Sequence, residues 1–106
     1  MEQVNFLSAF FNAIAGDPRI SITHIGIYAA LLKHWGERHF ENPVQAFSYE
    51  VMKTAKISAS TTYHKTIRDL DHYGYIRYEP SFKRNRASRV YIIINADNTD
   101  KNIIKP

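Results

Sequence analysis

Cysteine is absent from this 106-residue chain, which excludes disulfides, thiolate metal sites and cysteine nucleophiles together. The absence suits a reducing cytoplasm. Glycine and proline are sparse, four of each, and no glycine-rich phosphate loop or low-complexity tract is legible. No run approaches the roughly 20 apolar residues that span a bilayer. The opening VNFLSAFFNAIA is apolar, yet Glu2 precedes it and a basic n-region does not, so it does not read as a signal peptide. A soluble, cytoplasmic protein with no membrane association is expected.

What is present points to a folded domain. The hydrophobic fraction of 44% and aromatic fraction of 13% suit one modest core rather than a disordered chain. We expect a single domain over 1–95 and a flexible or docking tail over 96–106. Charge is unevenly spread. Residues 53–89 carry Lys53, Lys56, Lys65, Arg68, Arg77, Lys83, Arg84, Arg86 and Arg89 against only Asp69, Asp71 and Glu79. Such a cationic pole favours a polyanionic partner.

The apolar spacing places the elements. Over 4–15, Phe6, Leu7, Phe10, Phe11 and Ile14 form a helical stripe that Gly16, Asp17 and Pro18 stop. A second helix is expected over 22–37, capped by Ser21 or Thr23, burying Ile25, Tyr28, Ala29, Leu31, Leu32 and Trp35. ENPVQAF (41–47) reads as a loop running into a short extended piece at 46–48. Ser48 then starts a short helix over 49–55. A turn at KIS leads to a fourth helix, 58–73, which Gly74 ends as a C′ glycine. YIRYEP and RVYIII read as two strands joined by the basic loop SFKRNRAS. The fold class expected is mainly α, about four helices with a small β-hairpin wing. Among small architectures, the winged helix-turn-helix is the main one with that order.

The fourth helix has two faces. Thr62, Tyr63, Ile67 and Leu70 are placed inward, and Ser60, Thr61, His64, Lys65 and Arg68 share the outer side. A solvated outer face is the ordinary meaning of such a stripe. The basic hairpin after it and the helix before it favour a DNA reading. The major groove admits one helix, small hydroxyls and cations suit base edges, and a recognition helix reads with its first turns. Lys53, Lys56, Lys83, Arg84, Arg86 and Arg89 are then the candidates for phosphate or minor-groove contact.

Other chemistries have less behind them. His24, His34, His39, His64 and His72 include no i,i+4 pair, so no metal is expected. His24 is expected to be either a helix N-terminal residue or a partly buried one. No nucleophile elbow or paired-carboxylate motif appears, so no catalytic residue and no cofactor is assigned. Tyr63, Tyr73, Tyr75, Tyr78 and Tyr91 are spaced for packing. For RNA, Tyr75 and Tyr78 fall on opposite strand faces and make no stacking platform. A protein-interaction module without DNA binding is the alternative. Phe10 and Phe11 are neighbours about 100° apart on a helix. One core does not easily take both, so a homodimer through the first helix and the Ile103–Ile104 tail is expected. No ligand-binding domain for a small-molecule effector is legible.

The stretch SYEVMKTAKISASTTYHKTIRDLDHYGYIRYEPS resembles the winged helix-turn-helix DNA-binding domains of bacterial regulators and replication initiators. THIGIYAALLKHW, TYHKTIRDL and GYIRYEPS look closest to a group of small proteins of Bacteroidetes genomes and their mobile elements. The resemblance covers roughly residues 20–93. It implies sequence-specific binding of double-stranded DNA in transcription regulation or in mobile-element replication or transfer. Ala59 departs from the pattern, standing where the wider family often has a capping Ser, with Ser58 as the alternative cap.

Overall fold

In the helix Ile22–Glu37, Tyr28, Leu31, Leu32 and Trp35 recur at helical spacing, and all four are buried. The computed structural model of the chain, which describes residues 2–81 and 86–93, builds the rest of the domain around that stripe. Its elements are α1 (Glu2–Ile14), α2 (Ile22–Glu37), β1 (Val44–Ala46), α3 (Ser48–Ala55), α4 (Ser60–His72), β2 (Ile76–Glu79) and β3 (Ser88–Ile92). Among the described residues the fold is mainly α, four helices with a small antiparallel sheet that forms a β wing. Ile27 and Ala30 join the core, whereas Ile25 and Ala29 are only half-buried, so α2 is rotated slightly from the expected stripe.

The sheet differs from the expected two-stranded ribbon. Three strands lie in the order β1-β3-β2, with Val44 opposite Val90 and Ile76 opposite Ile92. Val44, Val90 and Ile76 are fully buried, so β1 is stitched in through Val44. Burying side chains of this size stabilises by about 1.5–3 kcal/mol each. The extended piece thus lies at 44–46, earlier than the expected 46–48. Asn42 extends the pairing with its side chain. Its Nδ2 donates to the Ile92 carbonyl at 3.0 Å, and its Oδ1 accepts the Ile92 N–H at 2.9 Å.

The two neighbouring phenylalanines of α1 divide as helical geometry demands. Phe10 is 1% exposed and stacks on Tyr28 at 3.9 Å between centroids, while Phe11 is 45% exposed. Phe6 packs on Trp35 and Phe40. The α1–α2 turn is held by Asp17, whose carboxylate accepts bonds from Arg19 Nε and Nη2, both at 2.8 Å, and from the Tyr75 hydroxyl at 2.7 Å. The Arg19 bond, then that of Tyr75, holds the Asp17 carboxyl well below the usual carboxylate range. Burial, with Asp17 second, pushes the Tyr75 hydroxyl up to about 12.

Candidate nucleic-acid interface

Helix α4 is held to the domain by Tyr63, Thr66, Ile67 and Leu70, all buried. Their spacing of three, one and three residues makes a stripe that includes Thr66. Thr62 was expected inward and is exposed, because it lies one residue outside that stripe. The helix also starts two residues later than expected. Ala59 takes the cap position with no side-chain hydrogen bond, and Ser58 is exposed and does not cap. In α3, Ser48 is likewise inside the helix, with Phe47 at the cap.

The five residues singled out on the outer side come together. Ser60, Thr61, His64, Lys65 and Arg68 line one open concavity, and Asp69 completes it. Ser60, Thr61, Lys65 and Arg68 are exposed and His64 is half-buried. His64 Nδ1 donates to the Ser60 carbonyl at 2.9 Å. In the neutral ring that bond leaves Nε2 as an acceptor. The His64 ring stands edge-on to Tyr63, 5.0 Å between centroids. Among the described residues, Arg68 forms no ion pair.

Asp69 was absent from the sequence candidates because its decisive partner comes from another helix. Its Oδ2 accepts from Lys65 Nζ at 3.2 Å and from His24 Nε2 at 2.9 Å. His24 is buried at the start of α2, where its Nδ1 accepts the N–H of Ser21 at 2.9 Å. That bond requires an unprotonated Nδ1, so the ring proton sits on Nε2 and points at Asp69. Partial burial works to raise the Asp69 carboxyl, but the bonds from His24 and then Lys65 outweigh it and hold the group below its ordinary value. The Ser21–His24–Asp69 set resembles a nucleophilic triad only in residue type. Its Nδ1 lone pair already takes a backbone N–H, so it closes a helix start rather than serving as a free base.

The flanking cations divide. Lys53 is exposed in the last turn of α3, and Lys56 follows that helix in the left-handed region at φ 63. Lys83 and Arg84 lie outside the described residues. Arg86 is exposed. Arg89 lies in β3, where its guanidinium is 3.8 Å from Glu79. It shares the exposed sheet face with Arg77, whose guanidinium sits 4.1 Å over the Tyr91 ring.

Among the described residues no helix is long and apolar enough to cross a membrane, and no three His, Asp or Glu side chains converge as metal ligands do. No protein-family model, curated protein or solved structure matches the chain.

Proposed function

We propose that this protein binds double-stranded DNA in a sequence-dependent way, as a winged helix-turn-helix regulator of transcription or of a mobile element's replication or transfer. The observation that carries the reading is the outer face of α4, where Ser60, Thr61, His64, Lys65 and Arg68 gather in one open concavity above a fully packed inner face. Hydroxyls, an imidazole acceptor and two cations are the groups that read major-groove edges. Lys53, Lys56, Arg86 and Arg89, with Lys83 and Arg84, then neutralise phosphates on either side.

Selection of bound duplexes from a random pool tests this. Enrichment of one motif supports it, and a palindrome would add the homodimer expected from α1. Failure to retain any duplex at low salt rejects it. Replacing Arg84 and Arg86 with Ala should weaken binding to every duplex and flatten its salt dependence.

A second reading, a protein-interaction module, draws on the half-exposed Phe11 and on a small concavity of Leu7, Ala29, Leu32 and Lys33 between α1 and α2. It requires that Phe11→Ser abolish an association that Lys65→Gln leaves intact.

A further inference from the structure

The concavity on the outer face of α4 is lined by one acid, Asp69, among its cations and hydroxyls, and that acid is anchored from behind, unlike the exposed Asp71 further along the helix. Asp69 is 22% exposed at its side chain, against 77% for Lys65. His24, buried on α2, donates to Asp69 Oδ2, and the same oxygen receives Lys65 Nζ. Because Ser21 fixes the His24 tautomer, the carboxylate cannot turn away without leaving a buried Nε2–H unpaired. A solvated lysine samples many rotamers and meets phosphate and base alike. One held against an anchored carboxylate is confined to part of that range, which lowers the entropy lost on forming a defined contact. The carboxylate also repels phosphate. It therefore weakens binding to any duplex while leaving the loss smaller wherever Lys65 finds a matching base edge, which is discrimination by an unfavourable element.

We infer that Asp69 is the positioning and selectivity residue of this face, placing the Lys65 ammonium and suppressing indiscriminate attachment to DNA. The inference rests on the reading of α4 as a DNA-contacting helix.

The test measures Asp69→Asn and Lys65→Gln, singly and together, against the duplex selected from the random pool and against a scrambled duplex of equal length. Asp69→Asn is expected to tighten binding to the scrambled duplex and to cut the ratio of the two affinities about tenfold. In the Lys65→Gln background the same change should leave the ratio within about twofold, since no ammonium remains to be placed. A role confined to holding α4 on α2 would act equally in both backgrounds, and that result overturns the inference. So does an unchanged ratio in Asp69→Asn. Should thermal melting show that Asp69→Asn does not fold, Asp69→Glu keeps the charge and displaces it by one methylene. A reduced ratio in that variant supports the inference and an unchanged one overturns it. Wild-type protein that binds neither duplex at low salt removes the DNA reading and this inference with it. Wild-type selectivity that survives Asp69→Asn removes the inference alone.

Discussion

Helices α3 and α4 end in the same kind of turn with different residues at its centre. After α4, Gly74 sits at φ 91, the Tyr75 N–H reaches the Leu70 carbonyl at 2.9 Å, and the Gly74 N–H reaches that of Asp71 at 3.1 Å. After α3, Lys56 sits at φ 63, with Ile57 bonded to Met52 at 2.9 Å and Lys56 to Lys53 at 3.3 Å. Both are Schellman closures, in which the C′ residue must be left-handed. Glycine meets that demand without strain, whereas a residue with a Cβ loses roughly 1–2 kcal/mol there. The backbone at position 56 would therefore be better served by glycine. The lysine side chain is exposed and stands in the turn that leads into α4. On the DNA reading proposed above, a phosphate contact by Lys56 is what offsets this strain.

The comparison can be broken or sharpened by substitution. The largest effect is expected from the side chains of the residues whose carbonyls accept the longer closing bonds. Leu70→Ala, which empties a fully buried site, should cost about 2–5 kcal/mol in denaturant unfolding. Met52→Ala, at the half-buried counterpart, should cost clearly less. Equal losses would mean that the side chain behind the α3 turn is packed as firmly as the one behind the α4 turn. Next comes Gly74→Ala. A Cβ there meets nothing within 4 Å, so the loss should be the conformational strain alone, about 1 kcal/mol.

Lys56→Gly should act in the opposite direction, raising stability by about 0.5–1 kcal/mol once the freer unfolded chain is counted. It should also weaken duplex binding and lower the salt slope by about 1. A stability gain with an unchanged slope would separate the strain at Lys56 from any contact with phosphate.

The smallest effect concerns acid, through the neighbouring Asp17 hub. Its folded carboxyl lies below the unfolded one, chiefly through Arg19. That contribution is complete above the unfolded value of about 4 and disappears as pH falls through the folded value. Melting temperature should therefore drop further between about pH 5 and pH 2 in wild-type protein than in Arg19→Met. Equal drops would show that the Asp17 bonds carry no net pH dependence.

Much of this organisation is legible in the sequence where it depends on near neighbours. The span of α2 follows from its apolar period, Gly74 from its place after the last apolar turn, and the split between Phe10 and Phe11 from helical geometry. The gathering of Ser60, Thr61, His64, Lys65 and Arg68 follows from the same period. Distant pairings are not legible in this way. Strand β1 is three residues long, lies beside Pro43, and gains its identity from Val90 across the sheet. Asp69 reads as an ordinary surface acid until His24, 45 residues earlier, is found against it. Helix phase explains the exchange of Thr62 for Thr66. Both flank the apolar stripe, and only their placement relative to Tyr63 and Leu70 separates them.

The third strand has a mechanical consequence. Strand β3 lies between β2 and β1, and a single residue, Phe47, separates β1 from α3. Strands β2 and β3 and the α3–α4 pair are therefore two arms of one frame, joined through a packed sheet rather than through a slack connector. On the DNA reading proposed above, a duplex touched by both arms must bend or widen to the spacing they set, and its stiffness becomes part of what is recognised.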